Sequence, residues 1–234
     1  MKILAIDTSG IVAGVALIDD NKILGEININ HKQNHSITIM PMIDSLFKSL
    51  DMEINEIDYI ACSCGPGSFT GLRIGASTAK GIAQALNKKI IPISTLEFLA
   101  YNIFMTNKYI VPMIDARGER IFTSIYKWKN GKLTNSYEEI GTDIRDFLEY
   151  IKENNIEPIF LGDGATAYKE IIKSYDENYV FAPISHNMQK ASSLASLALQ
   201  YAKEGKFIDY KNFQIEYLRK PQAERELLER ENKK

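Results

Sequence analysis

A glycine-rich segment, CGPGSFTGLRIG at residues 64–75, is the part of the sequence best suited to binding an anion. It lies between an apolar run and a helical pattern, and such a turn directs backbone N–H groups and the helix dipole at phosphate. It is not a Walker loop, because no Gly-Lys-Ser/Thr follows, nor a dinucleotide fingerprint, because Thr70 replaces the third glycine. Gly65, Gly67, Ser68 and Thr70 therefore predict either a phosphate-binding turn or a tight, well-capped turn without a ligand.

A carboxylate and two hydroxyls end the first apolar run, in AIDTSG. An acid at the end of such a strand can hold a metal or position water beside phosphate, so Asp7, Thr8 and Ser9 are candidate nucleotide-binding residues. The alternative is an Asx-type turn that closes a β-hairpin. Arg117 and the turn at 162–164 are expected at a cleft between two lobes, where they either hold a nucleotide or pair with each other.

The histidines and cysteines do not predict a metal site. His31 and His35 lie four residues apart, but they precede a helical pattern, no glutamate follows His31, and the only other histidine is His186. Cys62 and Cys64 lie two residues apart on a predicted strand. Both thiols therefore lie on one face of the strand, in poor geometry for a mutual disulfide. We expect buried thiols in a reducing cytoplasm and no bound metal.

The bulk composition is ordinary for a globular chain of 234 residues, with a formal net charge of -2. This charge provides no basic field for nucleic acid, so direct binding of nucleic acid by this chain is not expected. No apolar run reaches the ~18 residues of a membrane-spanning helix, and no signal-peptide pattern is present, so we expect a cytoplasmic protein without membrane contact.

The order of predicted elements repeats along the chain. Strand patterns, a helix, a further strand, a glycine turn and a second helix occur in the first half, and the order then begins again. Asp7 and Asp115 close the first strand of each half, and residues 162–164 correspond to Gly65 and Gly67. We predict two α/β lobes with mixed sheets, built from duplicated βββαβα units. The predicted domains are an N-terminal lobe at 1–103, a C-terminal lobe at 104–205, and a partly helical or disordered extension at 206–234.

Two predicted helices carry more close-packing surface than one buried face requires. On the helix predicted at 36–50, apolar residues cover an arc of about 160°, against the ~100° stripe that one buried face needs. The helix predicted at 71–86 has a row of small residues at i+4 spacing, which lets another helix approach closely. Either the same chain fills both surfaces, or the pair docks onto a partner's helices. The candidate partner-binding residues are Ile39, Met40, Met42, Ile43, Leu46, Phe47, Leu72, Gly75, Ala76, Ala79 and Ala83.

Four segments resemble the TsaB (YeaZ) family: ILAIDTS, HS followed by MPMID, GPGSFTGLRIG and YLRKPQAE. The resemblance is dense over 1–100, thin over 101–205, and returns at 217–224. It implies the two-lobed, actin-like and sugar-kinase-like ATPase fold of the ribonuclease H-like kind. It also implies a non-catalytic subunit in bacterial synthesis of threonylcarbamoyladenosine in tRNA. Such a subunit binds the catalytic subunit TsaD and works with TsaE and, indirectly, with the adenylate-forming TsaC.

The sequence departs from the pattern of the catalytic subunit at two places. Where TsaD carries two metal-binding histidines after its fifth strand, this chain has Thr95 and Leu99, and neither side chain can replace an imidazole. Ala116 and Arg117 replace the glycine pair that such ATPases usually place in their second phosphate loop. On this interpretation the glycine turn is inherited and mainly starts an interface helix.

The sequence therefore predicts a scaffold subunit that binds TsaD through the helices at 36–50 and 71–86. It would support transfer of the threonylcarbamoyl group to the adenosine next to the anticodon, contact tRNA only through the complex, and catalyse nothing itself. Without TsaD, two copies are expected to form a homodimer through the same surface, and ATP or ADP is expected to bind weakly or only in the complex. The alternative is an ATP-dependent enzyme that acts alone through Asp7 and both glycine turns.

Overall fold

A computed structural model describes residues 1–31 and 35–218 of the chain. Residues 219–234 of the extension predicted at 206–234, and the residues between His31 and His35, lie outside the described residues. In chain order the strands are β1 (Ile3–Asp7), β2 (Ala13–Ile18), β3 (Ile23–Ile29), β4 (Tyr59–Gly65), β5 (Lys89–Ser94), β6 (Tyr109–Asp115), β7 (Arg120–Lys129), β8 (Lys132–Asp143), β9 (Pro158–Leu161), β10 (Val180–Phe181) and β11 (Ile208–Asp209). The α-helices are α1 (His35–Leu50), α2 (Phe69–Leu86), α3 (Thr95–Ala100), α4 (Ile144–Glu153), α5 (Asp163–Ala167), α6 (Lys169–Tyr175), α7 (Ile184–Asn187) and α8 (Ala191–Lys203).

The strands form two sheets that repeat one strand order. The first sheet runs β11-β5-β4-β1-β2-β3, and the second runs β10-β9-β6-β7-β8. In the first sheet β1 pairs antiparallel with β2 and parallel with β4. In the second, β6 pairs antiparallel with β7 and parallel with β9. The prediction of two duplicated mixed α/β units is confirmed.

Helices cover both faces of the first sheet. Leu4 and Ile6 of β1 pack beneath α1 and α2, whereas Ile3 and Ala5, which alternate with them, pack against α8. Helix α8 follows the second sheet in the sequence, yet its apolar side fills the face of the first sheet that α1 and α2 leave open. The division at 104–205 is therefore corrected for this helix, which belongs with the first lobe.

The ends of the helices follow local capping. Helix α2 begins at Phe69, two residues earlier than expected, because Ser68 adopts an extended backbone and its Oγ accepts the N–H of Gly71. The helix ends at Asn87, whose left-handed φ of 52° is typical of a C-terminal cap. Helix α1 starts at His35, so this histidine lies within the helix rather than before it. Among the described helices, none is long and apolar enough to cross a membrane.

Candidate functional site

The glycine turn joins β4 directly to α2. β4 ends at Gly65, and the peptide between Gly65 and Pro66 is cis. Ser68 fixes the start of the helix twice: its N–H donates to the Ser9 carbonyl at 2.7 Å, and its Oγ accepts the N–H of Gly71 at 3.2 Å. Thr70 is exposed in the first turn of α2. The turn therefore places the beginning of α2 against the residues that follow β1.

Close packing explains the glycines of this segment. A Cβ on Gly67 would lie 2.3 Å from the Ser9 carbonyl oxygen, and one on Gly71 would lie 2.0 Å from the carbonyl oxygen of Thr8. A Cβ on Gly75 would lie 2.6 Å from Thr8 Oγ1, which itself donates to the Gly71 carbonyl at 2.7 Å. Because α2 lies directly against this backbone, the chain itself requires glycine here without any ligand.

The second lobe repeats this arrangement. A Cβ on Gly162 would lie 2.1 Å from the Met113 carbonyl oxygen, and one on Gly164 would lie 3.0 Å from the carbonyl carbon of Met113. The Asp163 carboxylate accepts the N–H of Asp115 at 3.1 Å. The turn at 162–164 thus packs against the end of β6, as the turn after β4 packs against the residues at the end of β1.

The first turn of the second lobe places Arg117 at the surface. Its backbone adopts a left-handed φ of 65°, and its N–H donates to Asp115 Oδ1 at 2.7 Å. Tyr168 OH donates to the same oxygen at 2.7 Å. The Asp115 carboxylate therefore stabilises the β6–β7 turn and connects it to the segment between α5 and α6. A pairing of Arg117 with the turn at 162–164, one of the two alternatives that the sequence left open, is not among the ion pairs of the described residues.

A cluster of buried polar groups lies at the end of β1. Asp7 Oδ1 accepts the N–H of Ser9 at 3.0 Å, which is the Asx-type turn that the sequence predicts. In contrast, Asp7 Oδ2, Ser9 Oγ and both amide atoms of Gln189 are buried without a hydrogen-bond partner in the described part of the chain. His35 joins them, since its Nε2 lies 2.9 Å from the Gly10 carbonyl oxygen, while its Nδ1 is buried and unpartnered. A Cβ on Gly10 would lie 2.7 Å from Gln189 Nε2.

In this cluster, the described part of the chain supplies no hydrogen-bond partner for several buried polar atoms. A buried polar group without a hydrogen bond costs about 1–3 kcal/mol, so these atoms favour water or a small polar ligand beside them. Burial also raises the pKa of the Asp7 carboxyl. The sequence singled out Asp7 and Ser9 but missed Gln189, because nothing local in the sequence connects the residue before α8 to the end of β1.

A second group of buried acids joins the two lobes. Glu139 on β8 accepts hydrogen bonds from Ser94 at the end of β5 and from Tyr126 OH, the latter at 2.6 Å. Glu97 on α3 accepts from Tyr201 OH at 2.8 Å. Burial raises the pKa of both carboxyls, and the charge of Glu139 raises that of Glu97 further. No local sequence pattern connects Glu97 with Glu139, since the two residues lie on different lobes.

The two thiols and the side chains of Thr95 and Leu99 are all buried. Cys62 and Cys64 are free and buried, as predicted. Burial, together with the nearby charges of Glu216 and Glu139, raises the pKa of Cys64 to about 12, so its thiolate is scarce at neutral pH. Thr95 and Leu99 are buried, Leu99 in an apolar cluster with strands of the second sheet. Within residues 1–31 and 35–218, no group of three His, Cys, Asp or Glu side chains is arranged to hold a metal.

The structure corrects the predicted partner-binding set. Ten of its eleven members are buried within the chain, and only Met40, which is 49% exposed, faces solvent. The arc of α1 is wide because this helix packs on β2 and β3 and also against α2. The small residues of α2 face the chain's own strands. The residues concerned are Ile39, Met42, Ile43, Leu46, Phe47, Leu72, Gly75, Ala76, Ala79 and Ala83.

The opposite sides of the same two helices remain exposed. Because α1 and α2 cover one face of the sheet side by side, their solvent sides face the same direction, and we call them the outer face. The outer face combines exposed apolar residues with small ones, and nothing lies within 4 Å of a Cβ placed on Gly81. Its residues are Ile37, Met40, Pro41, Asp44, Arg73, Ser77, Gly81 and Gln84.

Comparison with known proteins places the chain in a family. It is 34% identical over 231 residues to the tRNA threonylcarbamoyladenosine biosynthesis protein TsaB of Bacillus subtilis, covering 98% of this chain and 99% of the relative. This chain belongs to the TsaB family. TsaB of Escherichia coli is 28% identical over 222 residues, which cover 94% of this chain and 95% of that protein.

Structural similarity extends to YeaZ, with which the TsaB family was linked above. A Pseudomonas aeruginosa crystal structure, described as an uncharacterized protein with similarity to peptidase YEAZ, superposes with a TM-score of 0.79 at 23% identity. The superposition covers 93% of this chain and 99% of that one. A family model described as TsaD, tRNA N6-adenosine threonylcarbamoyltransferase, matches residues 22–227. TsaB chains of this kind thus share sequence features with the transferase family.

Proposed function

We propose that this chain is a non-catalytic subunit that docks onto the threonylcarbamoyltransferase TsaD and supports formation of threonylcarbamoyladenosine in tRNA. The near full-length similarity to TsaB of Bacillus subtilis carries this proposal, because the name of that relative assigns it to the biosynthesis of this nucleoside. The match of the TsaD family model supports a partner of the same fold, since related folds commonly pair through equivalent surfaces.

Thr95 and Leu99, which stand where TsaD is expected to carry its metal-binding histidines, support a non-catalytic role. Leu99 packs its side chain into the apolar cluster between α3 and the second sheet, and Thr95 is fully buried beside it. Restoring a metal would require two imidazoles where the chain has a hydroxyl and a hydrocarbon. The chain then contributes surface to the complex, while TsaD contributes the catalytic groups.

The outer face supports docking better than the buried residues do. Ile37 is 70% exposed and Met40 is 49% exposed, so both offer apolar surface for a partner. Ser77 and Gly81 lie one turn apart on α2 and let a partner's helix approach closely. In the assembled system TsaE joins this pair, TsaC supplies the threonylcarbamoyl adenylate, and tRNA is contacted through the complex in the cytoplasm. Without TsaD, a second copy of this chain occupies the outer face and forms a homodimer.

A matched pair of serine substitutions tests the docking surface. Ser77→Arg places a long charged side chain on the outer face, whereas Ser174→Arg does the same on exposed α6 of the other lobe. We expect Ser77→Arg to weaken binding of cognate TsaD by at least tenfold, or about 1.4 kcal/mol, and to make the isolated chain monomeric. Calorimetric titration and light scattering measure the two effects, and Ser174→Arg is expected to behave as the unmodified chain.

The outcomes separate the site from the function. If Ser77→Arg binds TsaD as tightly as the unmodified chain, the docking surface is not the outer face. If the unmodified chain shows no binding to TsaD at micromolar concentrations, the proposed function itself fails. Circular dichroism of both variants checks that the lobes remain folded.

The unpartnered atoms of Asp7 and Ser9 favour one second candidate, an ATP-dependent enzyme that acts alone. On that proposal a nucleotide supplies the missing hydrogen bonds at the end of β1. Turnover of ATP by the isolated chain, lost in Asp7→Asn, is the result that would support it. Turnover at background in both proteins contradicts it.

A further inference from the structure

The residues that follow β11 turn back across the end of β4. Residues 213–218, here called the strap, begin with Phe213, which is 1% exposed in the core beneath α1 and α2. The N–H of Glu216 donates to the Cys64 carbonyl at 2.8 Å. A Cβ on Gly65 would lie 2.4 Å from the Glu216 carbonyl oxygen, and Gly65 has a φ of 120°. The glycine turn therefore faces the chain's own strap at this point.

The outer end of the strap rests on α2 and reaches the second lobe. The Tyr217 ring lies 5.3 Å from that of Phe69, and Tyr217 OH accepts a hydrogen bond from Arg73 Nε at 3.2 Å. The Arg73 guanidinium also stacks on the Phe69 ring, and its Cζ lies 3.8 Å from the ring centroid. The Leu218 carbonyl oxygen lies 4.0 Å from a Cβ placed on Gly141 of β8. The strap thus runs from the core of the first lobe to the second sheet.

Few contacts hold the strap beyond its anchor. After Phe213, the residues Gln214, Glu216, Tyr217 and Leu218 are exposed, and the strap has no helix or strand of its own. Within the described residues, the strap beyond Phe213 is held by one backbone hydrogen bond, one side-chain hydrogen bond, one ring pair and the half-buried Ile215, which packs against the core of the first lobe. Segments with little burial and isolated hydrogen bonds open locally at lower free energy than the whole fold.

We propose that the strap is a latch that seals the carboxyl end of β4 against the cleft and opens while both lobes stay folded. In the closed state the Glu216 backbone occupies the surface of Cys64 and Gly65, so any ligand or partner segment that contacts the glycine turn there must displace the strap. Opening frees that surface and releases the link between the first lobe and β8. The latch shares Arg73 with the outer face. It is therefore tested on the isolated chain, where TsaD is absent and a failure of the docking proposal leaves the result unaffected.

The two cysteines provide an internal reporter of opening. Cys64 is 5% exposed and lies beneath the strap, whereas Cys62 is fully buried in the same strand. Alkylation by iodoacetamide, followed for each cysteine by mass spectrometry, measures latch opening at Cys64 and global unfolding at Cys62. In the unmodified full chain we expect Cys64 to react faster than Cys62 but far more slowly than a thiol in the denatured chain.

Two strap variants and one control make the test specific. Tyr217→Ala removes the ring pair and the hydroxyl acceptor, and Glu216→Pro removes the N–H that binds Cys64. Each is expected to speed alkylation of Cys64 roughly tenfold and to leave that of Cys62 unchanged. Phe104→Ala breaks a similar ring pair, with Trp128 at 5.0 Å, away from the strap and should change neither rate.

The opposite results overturn the latch. If Cys64 reacts in the unmodified chain as fast as in the denatured chain, the strap does not cover it. If Cys64 and Cys62 react at equal rates in all four proteins, the strap does not open separately from the fold. If Phe104→Ala accelerates Cys64 as much as Tyr217→Ala does, the effect is not local to the strap.

Discussion

The same substitution at two positions of α2 distinguishes a packing glycine from a free one. Gly71→Ala places a methyl group 2.0 Å from the Thr8 carbonyl oxygen, whereas Gly81→Ala places one in open space. Ordinary van der Waals contact begins at 3.4 Å, so α2 and the end of β1 must separate by 1.4 Å in the first variant, the difference of these two distances. Both sides of that contact are backbone, which cannot rotate away.

The expected magnitudes have opposite signs. Overpacking of this kind costs about 1–3 kcal/mol, and separation also strains the Thr8 Oγ1 hydrogen bond to Gly71, worth about 1 kcal/mol. The better helix propensity of alanine offsets up to about 1 kcal/mol. We therefore expect Gly71→Ala to lower the free energy of unfolding by about 2 kcal/mol, and Gly81→Ala to raise it by about 0.5–1 kcal/mol.

Urea unfolding followed by circular dichroism measures both changes, provided the slope of free energy against urea stays constant. A Gly71→Ala chain as stable as the unmodified one would refute the packing explanation and return the glycine to a ligand-binding role. A loss of stability in Gly81→Ala would contradict the open position of Gly81 and indicate that another chain covers the outer face in solution.

Four further substitutions, at three positions, test other parts of the structure. Ala79→Glu buries an unpaired carboxylate in the core of the first lobe and should unfold the chain, so a folded circular dichroism spectrum with an unchanged melting temperature would contradict the burial of Ala79. Glu139→Gln should gain stability relative to the unmodified chain as pH rises from 4.5 to 7. The pKa of Glu139 is raised in the folded chain, so the unfolded state loses its proton first and the free energy of unfolding falls with pH; a pH-independent difference in thermal melts would argue against this. Arg117→Gly should stabilise the chain by about 1 kcal/mol by relieving a left-handed φ, and Arg117→Val should destabilise it; equal melting temperatures would contradict the strain.

Local patterns sufficed to predict most strands of the two lobes and their duplication. The runs that became β1, β4 and β6 are apolar because helices or loops cover them on both faces, and such runs are visible without knowledge of the fold. Most of β8 was not predicted, because it is an edge strand with one exposed side and carries many polar residues.

Long-range packing accounts for what the sequence did not predict. The apolar arc of α1 and the small residues of α2 were correctly seen to exceed one buried face, but sequence alone does not show which neighbour takes the surplus. The chain itself covers this surplus surface, because α1 packs on the sheet and also against α2. The position of α8 on the first sheet and the approach of Gln189 to Gly10 depend on the same kind of contact between distant segments.

Close packing within each fold unit explains the glycines of both turns. Both lobes place glycine where the helix after the fourth strand of the unit crosses the end of its first strand, at Gly71 against Thr8 and at Gly162 against Met113. A constraint repeated in two lobes belongs to the duplicated unit, because each copy needs it to bring helix and strand together. The lobes differ in their acids instead: the Asp115 carboxylate binds a backbone N–H and a tyrosine, whereas Asp7 keeps one buried oxygen unpartnered in the described residues. If this chain holds a polar ligand at all, that asymmetry favours the end of β1 in the first lobe over the equivalent turn of the second.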